Sequence, residues 1–256
     1  MITDLKGLIK VGFIVCLALM SSCDYNYSVK SIEGGRVAMT AEYDEHAGGQ
    51  DVAAILSKYK AGLDSLMTPV VGHASRDLES YRPESPMSNL MADILFRGCE
   101  RFTGKKADVA IMNMGGIRSS ISQGPITYGE IFEVSPFENT LCIVEMDGKT
   151  MQELFTQIAL RHGEGISGAK LEISKEGKLL SAKIGGKAID MDRVYIVSTL
   201  DYVAEGNDKM TAFLKAKSKV FPENATLRNL LMDYVVSCEK KGTLVDAKVE
   251  GRIIEK

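Results

Sequence analysis

Tryptophan is absent from this 256-residue chain, and histidine occurs only three times. His46, His73 and His162 stand in no H-x-H or H-E-x-x-H spacing, which excludes the usual multi-histidine metal centres. No C-x-x-C pair occurs among the five cysteines, so zinc ribbons and thioredoxin-type redox chemistry are excluded. There is no Gly-x-Ser-x-Gly elbow for an acyl-transfer nucleophile, and no Gly-Lys-Ser/Thr follows the Asn113–Arg118 loop as a Walker loop would require. The 31 basic and 34 acidic residues are interspersed, and without a basic stripe no nucleic-acid partner is expected. The apolar run Val11–Met20 is about half of what a bilayer-spanning helix requires.

That short run is better read as an export signal. Lys6 and Lys10 precede it, and it ends in Met20-Ser21-Ser22-Cys23, which resembles a bacterial lipobox. Residues 1–22 are then a lipoprotein signal peptide, Cys23 carries lipid, and residues 23–35 form a polar tether. The expected location is the bacterial cell envelope, lipid-anchored and facing the periplasm or the cell surface. The competing reading is a plain secretory signal with an incidental cysteine. Cys99, Cys142 and Cys238 lie in apolar-periodic segments and read as core residues.

Residues 36–256 carry the pattern of one folded domain. A strand is expected at Arg36–Tyr43. The spacing of Val52, Ile55, Leu56, Tyr59, Leu63 and Leu66 predicts a helix over Asp51–Met67. Ser85-Pro86 starts a second helix that Gly104 ends, and Thr127-x-x-Glu130 opens a third, before Pro136. Thr150-x-x-Glu153 reads as the start of a fourth, and Thr226 caps a fifth. Strands are expected at 108–113, 140–146, 169–174, 178–184, 194–200 and 247–254, with a turn at Glu176-Gly177. Helices and strands intermingle without strict βαβ alternation, which favours an α+β domain with mixed sheets.

Three loops could carry chemistry. In Asn113-Met114-Gly115-Gly116-Ile117-Arg118 the glycines permit close backbone approach, and the arginine can fork onto an anion; a plain surface turn is the competing reading. Phe137, after Pro136, is either a stacking platform or a loop aromatic folded onto the core. Tyr202 could be a second platform. Asp208 is either an acceptor for sugar hydroxyls or the cap of a helix starting near Lys209.

Taken together the segments resemble the C-terminal domain of the 5′-nucleotidase family. The resemblance covers roughly residues 35–256. It rests on Asn113-x-Gly-Gly-Ile-Arg118, Gly124-Pro-Ile-Thr-Tyr-Gly-Glu-Ile-Phe132, Pro136-Phe137 and Asp147-Gly148-Lys149. Glu84…Asn89-Leu-Met-Ala-Asp93 and Glu250-Gly-Arg-Ile253 complete it, all in the family's order. The resemblance implies a substrate-binding domain, with Phe137 and Tyr202 sandwiching a base, Asn113, Gly115, Gly116 and Arg118 around the ligand, and Asp208 on the ribose. Arg82 stands one residue late for the family's upstream arginine. Tyr202 replaces the usual Phe, and Glu205-Gly206-Asn207-Asp208 stands for Asn-Gly-Gly-Asp. In relatives two metals in a separate metallophosphatase domain do the chemistry. Here the resemblance implies no catalytic residue and no cofactor in this chain, with divalent metals expected only in a partner metallophosphatase polypeptide. A stand-alone nucleoside- or nucleotide-binding lipoprotein is the alternative.

Overall fold

A computed structural model describes residues 29–36 and 47–256. The signal, Cys23 and nearly all of the Arg36–Tyr43 strand lie outside the described residues. The chain divides into two units, Met1–Ala54 and Ile55–Lys256. Of the first, residues 29–36 are exposed and without regular structure.

In chain order the elements are α1 (Ala47–Met67), β1 (Val70–Ala74), α2 (Pro86–Thr103), β2 (Val109–Met112), β3 (Gly124–Thr127), α3 (Tyr128–Val134), β4 (Leu141–Asp147) and α4 (Gly148–Leu160). Then follow β5 (Gly165–Ser167), β6 (Ala169–Ile173), β7 (Leu179–Ile184), β8 (Lys187–Ala188), β9 (Val194–Leu200), α5 (Asp201–Ala204), β10 (Ser218–Val220), α6 (Leu227–Lys240) and β11 (Ile253–Glu255). The architecture is α+β, as the intermingled pattern implied.

The central sheet runs β10-β4-β9-β2-β5. Within it β2 and β9 are parallel, while β4 pairs antiparallel with β9 and β5 antiparallel with β2. Val109–Met112 are all buried, the continuous apolar run of a strand covered on both faces. Cys142 on β4 is buried too, and desolvation pushes its thiol up to about 12. Cys99 and Cys238 are also free and buried.

α2 packs on this sheet because its start and its face are both well specified. The Ser85 hydroxyl accepts from the Ser88 N–H, Pro86 occupies the first turn, and Gly104 closes the helix in a left-handed conformation (φ 70°). Leu90, Met91, Ile94 and Leu95 are buried on one face, each contributing roughly 2 kcal/mol of apolar burial.

Two of the motifs behind the resemblance prove to be a clip between α2 and the chain's end. The Glu84 carboxylate accepts from the Asn89 side chain and from the N–H groups of Glu250 and Arg252. The Arg252 guanidinium forks onto Asp93, at 2.8 and 2.9 Å. β11 adds parallel to β6 in the second sheet, β11-β6-β7-β8.

Three local expectations need correction. α4 starts at Gly148, not Thr150, because the Asp147 carboxylate accepts from the Thr150 N–H and hydroxyl and so is the cap. Glu153, read with Thr150 as part of that helix start, instead pairs with Lys215. The last strand shrinks to Ile253–Glu255: Gly251 turns the chain at φ 70°, and the N–H groups around it go to Glu84 rather than to a strand.

Candidate functional site

The sheet topology brings the candidate loops to one edge. Asn113 follows β2 and Asp201 follows β9, so both leave the carboxyl ends of two parallel strands, where α/β sheets place ligands. β4 and β5 run the opposite way. Their starts therefore lie at the same edge, with Leu141 opposite Leu200 and Gly165 opposite Met112. This adds the 135–140 loop and Glu164 to the cluster.

A cavity of about 380 Å³ opens there, lined by Asn113, Gly115, Gly116, Arg118, Phe137, Tyr202 and Asp208 among others. That volume is in the range of small-molecule sites. Seven of the eight proposed site residues thus share one cavity wall. Arg82 does not; it lines two adjoining hollows, one shared with Gly115 and Arg118 and the other with Arg161, His162 and Lys209.

Phe137 and Tyr202 are 47% and 43% exposed, large apolar surfaces at the cavity mouth. Phe137 is therefore not folded onto the core. Its loop is pinned by Arg228 in the first turn of α6, whose Nε donates to the Ser135 carbonyl at 3.0 Å and whose Nη2 donates to the Phe137 carbonyl at 3.2 Å. The Arg118 guanidinium lies 5.9 Å from the Phe137 ring centroid, a cation–π distance. Tyr202 sits in the helical turn α5, held by the Asp201 carboxylate, which accepts its N–H at 2.7 Å. The same carboxylate accepts from Asn139 and Thr140, tying the two aromatic loops together.

On the floor, Asp208 Oδ2 accepts from the Asn113 side-chain amide at 2.7 Å. Asp208 caps no helix, so that reading is corrected: the following helical turn, Thr211–Lys215, begins after Met210 and has no side-chain cap. Asp208 and Lys209 instead adopt left-handed backbone (φ 53° and 60°), which turns the carboxylate back toward Asn113. The Asn113 Oδ1 is buried and without a partner, and its amide orientation is set by the donation to Asp208. Gly116 is required by close approach, because a Cβ there would stand 2.9 Å from both Asn113 Oδ1 and Met112 Cε.

Beneath the loop lies a group that the sequence pattern did not single out. Glu164, with no exposed side-chain surface, accepts from Arg82, Arg161 and the Met114 N–H. The available signals were faint. Glu164 is a charge set between two glycines at a strand start, and Arg228 is a cation at a helix N-terminus, where the dipole disfavours it. Among the described residues no three His, Cys, Asp or Glu side chains are grouped so as to hold a metal ion. His73 and His162 each stand against a single glutamate, Glu239 and Glu255. These donors do not fit the two-metal centre of a metallophosphatase.

Comparison with known proteins points to one family. Residues 70–215 match the family model described as 5′-nucleotidase, C-terminal domain. The chain is 32% identical over 237 residues to the trifunctional nucleotide phosphoesterase protein YfkN of Bacillus subtilis, covering 83% of this chain and 16% of that protein. It is 30% identical over 184 residues to protein UshA of Escherichia coli, covering 69% and 32% respectively. The chain therefore spans less than a third of the length of these curated relatives. Among solved structures, the 5′-nucleotidase precursor from Thermus thermophilus superposes with a TM-score of 0.70 at 26% identity, over 81% of this chain and 43% of that one. The matched segment contains every residue of the cavity described above except Leu227, and with it the chain belongs to the 5′-nucleotidase family, through that family's C-terminal domain.

Proposed function

We propose that this chain is the substrate-binding domain of a 5′-nucleotidase-type phosphohydrolase, taking a nucleotide or nucleoside in the cavity at the sheet edge. The observation that carries the reading is the pairing, in one cavity, of two half-exposed aromatic rings with Asn113, Asp208 and Arg118. A flat heterocycle offers π-faces to Phe137 and Tyr202. An ionised Asp208 has acceptor capacity for ribose hydroxyls beyond its bond to Asn113, and the unpaired Asn113 oxygen can take a donor from the ligand. Arg118 and Arg82 supply donors for an anionic group.

No residue of this chain is assigned a catalytic step. Hydrolysis is assigned to a metallophosphatase supplied as a separate polypeptide, whose divalent metals would activate the attacking water. The two would act together in nucleotide catabolism, this chain being exported and held at the cell envelope through lipid on Cys23.

Calorimetric titration with AMP and adenosine tests the ligand assignment. Wild type is expected to bind, and Phe137→Ala and Asp208→Ala to bind at least about tenfold more weakly. Wild-type affinity no better than that of the variants would sink it. Phosphate release should appear only when a metallophosphatase is added; metal-dependent hydrolysis by this chain alone would refute the two-chain arrangement.

A further inference from the structure

The Glu164 carboxylate is spent entirely inside the protein. Oε1 accepts from Arg82 Nη2 at 2.6 Å and from Arg161 Nε at 2.5 Å, and Oε2 accepts from the Met114 N–H at 2.5 Å. Arg82 also donates through Nε to the Gly163 carbonyl at 2.9 Å, and Arg161 Nη2 lies 3.8 Å from Asp208 Oδ1. One buried anion therefore touches the segment before α2, the turn before β5 and the loop after β2, and through Arg161 it reaches the Asp208 loop. Glu164 faces two guanidinium groups, of which Arg161 is shared with Asp208. Arg82, 36% exposed, presents its remaining donors to the hollow shared with Gly115 and Arg118.

We propose that Glu164 is the positioning residue of the site. Its carboxylate fixes Arg82, Arg161 and the Asn113–Gly116 loop relative to one another, so that Arg82 meets the anionic group of a ligand whose ring lies with Phe137 and Tyr202. The assignment rests on the nucleotide-binding reading above. Its chemical signature is that a carboxamide cannot replace the carboxylate. All three neighbours of Glu164 are donors, and the –NH₂ of a glutamine would have to face one of them.

The test compares the full chain with Glu164→Gln, titrating each with AMP and with adenosine. Ligand-free ¹H–¹⁵N spectra also follow the Arg82 and Arg161 Nε–H and Met114 N–H signals. Glu164→Gln should weaken AMP by about 10- to 100-fold and adenosine by no more than about threefold. The Arg161 Nε–H signal, whose acceptor is Glu164, should be slow to exchange in wild type and lost in the variant. Glu164→Asp should recover part of the AMP affinity by restoring the charge. In an Arg82→Gln background, Glu164→Gln should cost AMP binding little more.

Equal weakening of both ligands, or full additivity with Arg82→Gln, overturns the proposal. If Glu164→Gln does not fold, wild-type spectra decide: a fast-exchanging Arg161 Nε–H signal overturns it, and a protected one supports it. Wild type binding neither ligand defeats the nucleotide reading alone. Protected signals lost in Glu164→Gln would still establish the positioning.

Discussion

The two ends of the cleft are built on opposite plans. At the mouth, Phe137 and Tyr202 leave nearly half of their surface open and take part in little besides the backbone bonds that hold their loops. Below the loop, Glu164 has no exposed surface, and both of its oxygens are occupied. Exposed apolar surface is a cost to the free protein that a ligand relieves. A saturated buried charge gains nothing from a ligand and acts by holding others still. The mouth should therefore govern affinity with little effect on stability, and the base of the site should govern both.

The largest effect expected is on folding. Glu164→Ala strands two guanidinium groups and an N–H, and should lower unfolding free energy by about 3–5 kcal/mol in urea titration. A loss below about 1 kcal/mol would erase the contrast. Phe137→Ala should leave stability within about 0.5 kcal/mol while weakening AMP roughly tenfold by calorimetry. A folding defect of Glu164 size there would place the ring in the core after all.

A smaller, pH-dependent effect gives an internal control away from the cleft. Hydrogen bonds from the Thr150 N–H and hydroxyl hold the Asp147 carboxyl below its ordinary value of 3.8. A pKa lower in the folded than in the unfolded chain gives stability that is present above about pH 4 and lost as pH falls through the folded value. The stability gap between wild type and Asp147→Asn, followed by thermal unfolding, should therefore close on acidification. A gap that widens would contradict the capping role.

Elements with chemistry at both ends were legible in the sequence. α2 has a capping serine, a proline and a closing glycine, and its buried face follows from the spacing. α1 shows where periodicity stops informing. Val52, Ile55, Leu56, Tyr59, Leu63 and Leu66 have helical spacing like that on α2, yet every one is more than half exposed. Spacing defines a face; what covers that face is a tertiary matter. At the cleft, Asn113, Arg118, Phe137 and Tyr202 were legible because each stands within a few residues of a strand end or a glycine pair, and Asp208 through its place in the ordered motifs. Glu164 was not, since its partners lie at positions 82, 114 and 161, and only the antiparallel pairing of β5 with β2 brings the Met114 loop beside it. Asp208 taken locally left two readings open, an acceptor and a cap, for a related reason. Nothing local announces the left-handed backbone at 208 and 209 that turns it toward Asn113.

The buried thiol of Cys142 gives this domain a built-in chemical clock. With its pKa pushed up to about 12 by burial, the reactive thiolate is roughly one part in ten thousand at pH 8. Cys142 pairs across from Thr199, one residue from the end of the strand that delivers Tyr202. A maleimide left in solution therefore marks this cysteine only when the sheet opens around β4 and β9. The rate of labelling counts how often the platform beneath the cleft comes apart.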